Sequence, residues 1–190
     1  MKIVFASNNA NKIREIKLLL PDSIQILSLE DIGCHEEIPE PADTIEGNAI
    51  EKANYITQKY GYDCFADDSG LEVDVLNGEP GVYSARYAGD HKNNDDNINK
   101  LLEKLAQTEN RTANFKTVIA LNLGGEQHLF TGKVNGTITK KRLGSEGFGY
   151  DSVFIPDGST LTFAQISATE KAKDSHRSRA VKQLVAHLRK

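Results

Sequence analysis

The chain has no tryptophan, one methionine, two cysteines and five prolines in 190 residues. Cys34 and Cys64 are isolated and form no CxxC pair, so neither a structural zinc site nor a disulfide framework is expected. Unpaired thiols fit a reducing cytoplasm. No apolar run approaches a membrane span. The opening Met1-Lys2-Ile3-Val4-Phe5-Ala6 stops at Ser7, too soon for a signal-peptide core. Basic excess is lacking too: the formal net charge is −4 and the pI is near 5.8. That balance disfavours a polyanionic partner such as duplex DNA, yet leaves room for a local basic pocket. Repeats, low-complexity tracts and linkers are absent. What remains is an ordinary globular balance, 38% hydrophobic and 26% charged. A chain of this length suits one domain, or one body with two lobes, and buries a real core without staples.

Lys2 to Ala6 reads as a buried strand, followed by the polar loop Ser7-Asn8-Asn9-Ala10-Asn11. Ile13, Ile16, Leu19 and Leu20 then recur at helical spacing until Pro21. Ile24 to Leu29 reads as a second strand, and the acidic segment from Cys34 to Asp43, with two prolines, as loop. Asp43 and Glu46 have the spacing of a capping pair for a helix to about Tyr60, with Ile45, Ala49, Ala53 and Ile56 on its apolar face. Cys64-Phe65-Ala66 is expected to be a strand ending at Asp67-Asp68-Ser69-Gly70, and Leu71 to Val75 alternates as another. Ile98, Leu101, Leu102 and Leu105 mark a third helix. Ala113 to Leu123, the Gly124-Gly125 turn and Leu129 to Thr131 form a hairpin. Ser175 is a good N-cap for a last helix bearing Ala180, Val181, Leu184, Val185 and Leu188. Interspersed strands and helices with one hairpin predict an α/β fold with a mixed sheet.

Four segments carry residue types suited to chemistry. Lys12 follows a loop of small polar residues at a helix N-terminus, where unpaired N–H groups and a partial positive charge suit phosphate; a capped helix with a solvated lysine is the plainer alternative. Asp67 and Asp68 repel each other, which a divalent cation would offset. Mg²⁺ takes one or two carboxylates plus substrate phosphates, and Glu40 offers a third acid; a turn leading into Ser69-Gly70 competes with this reading. Glycines flank the aromatics of Gly147-Phe148-Gly149-Tyr150-Asp151, where Phe148 is placed to stack on a base and Asp151 to accept from a ring N–H; a turn with a buried Phe is the alternative. His176 and Arg177 at a helix N-terminus oppose the helix dipole, a conflict that a bound anion would resolve. Lys52 sits near the edge of an apolar helix face, where a solvated lysine is the default.

Together these segments resemble the inosine triphosphate pyrophosphatase family. The resemblance runs from Lys2 to the last helix through Ser7-Asn8-Asn9 with Lys12, Glu46 to Lys52, Ala66-Asp67-Asp68-Ser69-Gly70-Leu71, Pro80 to Tyr87, Gly147 to Asp151 and Ser175-His176-Arg177, in family order. It implies a long curved mixed sheet flanked by helices, two lobes with a central cleft, and a homodimer. It implies phosphate contacts from Ser7, Asn8, Asn9, Lys12 and Lys52, Mg²⁺ ligation by Glu40 and Asp68 with Asp67 close by, and proton acceptance by Asp68. Ser69 would touch the substrate, and Phe148, Gly149, Tyr150, Asp151, Lys171, His176 and Arg177 would surround the base. The family loop often reads Thr-Gly-Asn where this chain has Ser7-Asn8-Asn9, and Gln165 stands where Glu is frequent.

The reaction so implied is hydrolysis of a noncanonical purine triphosphate (ITP, dITP or XTP) to the monophosphate and pyrophosphate. Two alternatives stand beside it. A Maf-like pyrophosphatase would act on pyrimidine or modified nucleotides, against which the Ser-His-Arg and Phe-Gly-Tyr-Asp segments argue. A catalytically silent nucleotide-binding module would have no need of Asp67 and Asp68.

Overall fold

The computed structural model describes residues 1–189. Its strands are β1 (Lys2–Phe5), β2 (Gln25–Leu27), β3 (Cys64–Val73), β4 (Thr112–Leu123), β5 (Glu126–Ile138) and β6 (Phe154–Pro156). Its α-helices are α1 (Ala10–Leu19), α2 (Ile45–Tyr60), α3 (Asn94–Lys104), α4 (Ala168–Lys173) and α5 (His176–Leu188). The strands form one mixed sheet in the order β2-β1-β3-β4-β5-β6. β1 pairs in parallel with β2, Ile3 opposite Ile26, and with β3, Phe5 opposite Phe65. Parallel neighbours need crossovers, which α1 and α2 supply. β5 and β6 pair antiparallel. Gly124 and Gly125, both at positive φ (59° and 85°), make the tight β4–β5 turn.

The chain divides into two compact units. The first comprises Met1–Asp68, Thr117–Gly132 and Arg177–Lys190. Its core joins Ile3, Phe5 and Phe65 to Ile16 of α1 and to Ala180, Val181 and Leu184 of α5. The second comprises Ser69–Lys116 and Lys133–His176. Its core joins Leu71 and Val73 to Ile98 and Leu101 of α3 and to Phe115, Phe154 and Phe163.

Several expectations change in detail. β3 is continuous through Asp67, Asp68, Ser69 and Gly70, where the sequence suggested a break; the Asp67 carboxylate is paired in place with Lys12 and Arg177, so turn chemistry does not prevail. The strand ends at Val73, and Val75, expected within it, lies in a short 3₁₀ turn over Asp74–Leu76 and is exposed. α2 is capped by Thr44, whose hydroxyl accepts from the Gly47 N–H at 3.0 Å, rather than by Asp43. The loop after Gly78 contains a 3₁₀ helix over Gly81–Arg86, and α4, capped by Ser167, was not foreseen.

Candidate active site

In the first unit, buried and half-buried cations and carboxylates converge from five places in the chain: α1, the loop before α2, α2, β3 and α5. Asp67, wholly buried, accepts from Lys12 Nζ at 3.2 Å and from Arg177 Nε at 3.2 Å. Arg177, 1% exposed, also pairs with Glu15 of α1. Lys52 Nζ donates to Glu40 at 2.9 Å and to the main-chain carbonyl of Asp67 at 2.7 Å. Burial works against the Asp67 carboxylate, but Lys12, Arg177 and Lys52 outweigh it and hold the group well below the usual carboxylate range. For Asp68 the balance is reversed: burial pushes its carboxyl up, against the pull of Lys52 and Lys12. Burial also lowers Lys12, whereas the carboxylates of Asp68, Glu40 and Asp67 overcome it at Lys52 and raise that ammonium. Two adjacent acids are thus pushed apart, the pattern that separates a permanent counter-ion from a proton acceptor. In an extended strand successive side chains leave opposite faces, so adjacency in sequence gives the two acids different surroundings.

The donor set of Glu40 and Asp68 is oxygen-rich and suits a hard divalent cation. Among the described residues no group of three His, Cys, Asp or Glu side chains is placed to hold a metal alone. Two carboxylates are what Mg²⁺ uses when substrate phosphates complete its shell, so the residues fit Mg²⁺.

The Ser7–Lys12 loop is exposed to half-buried. Ser7 Oγ accepts from the Asn9 N–H at 3.2 Å, and Asn9 Oδ1 accepts from the N–H groups of Asn11 and Lys12 at 3.0 and 3.2 Å. Asn9 is therefore the cap of α1, and Asn8 is exposed beside it. The loop places Lys12 within reach of Asp67.

In the second unit a different cluster forms. Lys171 Nζ donates to Asp151 Oδ2 at 2.7 Å and lies 5.1 Å from the ring centre of Phe148 and 5.3 Å from that of Phe163. Asp151 also accepts from the Phe148 N–H at 3.0 Å, which fixes the glycine-flanked loop. The His176 ring stacks on Phe115, centroids 4.7 Å apart at 14°. Phe148 is half-buried, as is Gly149, which takes φ +58°. Tyr150 is buried and its hydroxyl donates to the Ser84 carbonyl at 2.7 Å, so it anchors this loop from below. Ser69, half-buried, follows Asp68 directly on β3.

The expected base-binding residues therefore separate. Phe148, Asp151 and Lys171 come together, and His176 stacks on the aromatic set that includes Phe163. Arg177 instead joins Asp67, Lys12 and Glu15. The dipole conflict at the start of α5 is met by carboxylates from β3 and α1 rather than requiring a bound anion. Sequence reasoning missed Glu15, Phe115 and Phe163. Glu15 stands one helical turn after Lys12, a faint signal; the two phenylalanines read as ordinary core.

Known proteins resemble this chain over nearly its whole length. The family model described as the Ham1 family matches residues 3–187. A dITP/XTP pyrophosphatase of Flavobacterium psychrophilum is 64% identical over 185 residues, covering 97% of this chain and 97% of that protein. The dITP/XTP pyrophosphatase of Christiangramia forsetii is 57% identical over 190 residues, covering 100% of both. Among solved structures, the Ham1 protein of Staphylococcus aureus superposes with a TM-score of 0.90 at 41% identity, covering 100% of this chain and 98% of that one. A family model spanning nearly the whole chain, relatives of this identity and a common fold lead to one conclusion: the chain belongs to the Ham1 family.

Proposed function

We propose that this protein hydrolyses noncanonical purine nucleoside triphosphates (ITP, dITP and XTP) to the monophosphate and pyrophosphate, removing them from the nucleotide pool. The observation that carries the reading is the opposite setting of Asp67 and Asp68 on one strand, among Lys12, Lys52 and Arg177. Relatives named for the same activity over the full chain support it.

Water attacks the α-phosphorus, the bond from that phosphorus to the bridging oxygen breaks, and pyrophosphate leaves. Asp68, buried on β3 within the fields of Lys52 and Glu40, takes the proton from the water. Lys12 and Lys52 offset charge on the departing pyrophosphate, and positioning and charge account for most of the catalysis. Glu40 and Asp68 would hold Mg²⁺, which would supply charge neutralisation and acidify the attacking water. Asp67 remains ionised and holds Lys12 and Arg177 in place. Ser7, Asn8 and Asn9 border the phosphates, and Ser69 touches the substrate.

The base falls to the Phe148, Asp151, Lys171 and His176 cluster, with Gly149 leaving room and Tyr150 bracing the loop. ITP presents an acceptor oxygen where ATP presents an amino donor. A cationic donor there pairs with the first and faces the second donor to donor, a mismatch of about 1–3 kcal/mol when buried. The protein is proposed to work as a homodimer in the cytoplasm. Two free buried cysteines suit that compartment, and among the described residues no helix is long and apolar enough to cross a membrane.

The test is pyrophosphate release from ITP, XTP, ATP, GTP and UTP, each with Mg²⁺ and with EDTA. Mg²⁺-dependent turnover of ITP and XTP well above the others supports the reading. Orthophosphate release, or a preference for UTP, overturns it.

A further inference from the structure

Helix α2 carries one polar stripe: Asn48, Lys52, Tyr55 and Lys59 recur at the intervals that keep side chains on one helix face. The segment 34–43 runs along this stripe in the opposite direction. The Ala42 N–H donates to Asn48 Oδ1 at 2.9 Å. Next, Glu40 accepts from Lys52 Nζ at 2.9 Å. At the far end Glu36 accepts from Tyr55 Oη at 2.8 Å and from Lys59 Nζ at 2.5 Å. Tyr60 Oη reaches both Glu36 oxygens, at 2.7 and 2.9 Å. The hydrogen bonds from Lys59, Tyr60 and Tyr55 hold the Glu36 carboxyl far below the usual range, so it stays ionised in the clasp.

Burial along the segment alternates. Cys34 and Ile38 are buried, Glu36 and Glu40 half-buried, and His35, Glu37 and Pro39 exposed. Beyond a bend at Glu36 this is the two-residue period of an extended chain, in which fixing one side chain fixes the direction of the one two positions on. Glu40 lies between Pro39 and Pro41. Each proline fixes its own φ and confines the residue before it to extended conformations, so Ile38 to Pro41 is a stiff rod. A cation arriving at Glu40 competes with Lys52 for the carboxylate. The anchors at Glu36 and Ala42 do not involve that carboxylate, so they persist when the cation binds.

We infer that Glu36 is a positioning residue: its clasp by Tyr55, Lys59 and Tyr60, carried through the stiff Pro39-Glu40-Pro41 segment, sets the direction in which Glu40 presents its carboxylate to the divalent cation. The inference rests on the assignment of Glu40 as a metal carboxylate under the proposed function. It gives three otherwise unremarkable residues of α2 a role in metal affinity.

The experiment uses the full chain with Mn²⁺ as probe. Free Mn²⁺ is followed by electron paramagnetic resonance in the presence of α,β-methylene ITP, which cannot be hydrolysed. Hydrogen exchange over 37–43 and Mg²⁺-dependent turnover are measured in parallel. Glu36→Ala, and independently Tyr55→Phe with Tyr60→Phe, are expected to weaken Mn²⁺ binding about tenfold. Exchange should rise over 37–43, while kcat at saturating Mg²⁺ stays within about twofold, since the reacting groups are untouched. Glu36→Gln, which still accepts from both tyrosines, should recover part of the affinity. Loosened exchange with Mn²⁺ affinity equal to wild type would mean that the clasp only tethers the loop, and the inference falls. Glu40→Ala separates the two levels. If it leaves Mn²⁺ binding unchanged, the metal assignment itself is wrong and the inference goes with it. If it weakens binding while the Glu36 variants do not, the inference alone is overturned.

Discussion

Gly147 stands where a Cβ atom would come within 2.1 Å of Asp151 Oδ2, the oxygen that also receives Lys171. The closeness of backbone to carboxylate is what lets Asp151 accept from both the Phe148 N–H and the Lys171 ammonium. Gly147→Ala therefore has to push Asp151 aside, and it adds about 1–2 kcal/mol of strain at φ +72°. Displacing the base cluster should lower kcat/KM for ITP about 10²-fold. Gly158→Ala is the control. It shares the positive φ (83°), but its Cβ meets nothing within 4 Å and it lies outside the base cluster, so it should cost stability and leave most of the activity. Steady-state kinetics on the two variants checks this.

Asp67 and Asp68 should fail in opposite ways. Asp67→Asn leaves Lys12 and Arg177 buried beside a neutral amide and should cost about 3 kcal/mol of stability. The folded-state pKa of Asp67 is depressed, so its contribution is present above the unfolded value near ~3.9 and is lost as pH falls through and below it. The stability gap between wild type and Asp67→Asn should thus be constant near neutrality and shrink below about pH 4. Urea unfolding in EDTA across that range measures it.

For Asp68 the folded state binds its proton more tightly than the unfolded chain does, so the ionised carboxylate costs stability above about pH 4. Asp68→Asn removes that cost. Its Tm in EDTA should equal or exceed the wild-type value, while kcat falls by about 10²–10⁴ for want of a proton acceptor. A variant that unfolds early yet keeps its turnover would reverse the two assignments.

The Cys64 thiol is pushed up to about 12 by burial. In the native protein at pH 8 it should resist a thiol-specific disulfide reagent and react only after denaturation. A colorimetric titration before and after guanidinium reads this directly.

The sequence revealed the elements whose signals are local. The apolar run Ile3-Val4-Phe5, the helical spacing of Ile45, Ala49, Ala53 and Ile56, and the Gly124-Gly125 turn each depend on neighbours in the chain. β3 was broken in that reading because Asp, Ser and Gly favour turns, whereas the cations that stabilise Asp67 in a strand lie 55 and 110 positions away. The same distance hid Glu15, whose partner Arg177 is 162 residues off. Of the site, residue types were legible and groupings were not. Nothing in Ser175-His176-Arg177 reveals that consecutive side chains go to different clusters, His176 to Phe115 and Arg177 to Asp67. Asn9 looked like a phosphate ligand and is first a helix cap, because its side-chain oxygen is committed to two backbone N–H groups of α1.

The continuity of β3 through Asp67 and Asp68 makes the strand behave like a reading frame. A one-residue deletion between Cys64 and Ala66 would keep the strand's apolar character and both acids, but exchange the faces on which they emerge. The proton acceptor would then be locked between Lys12 and Arg177, and the counter-ion would take the buried place of Ala66. Such a protein would retain every residue assigned to the chemistry and perform none of it.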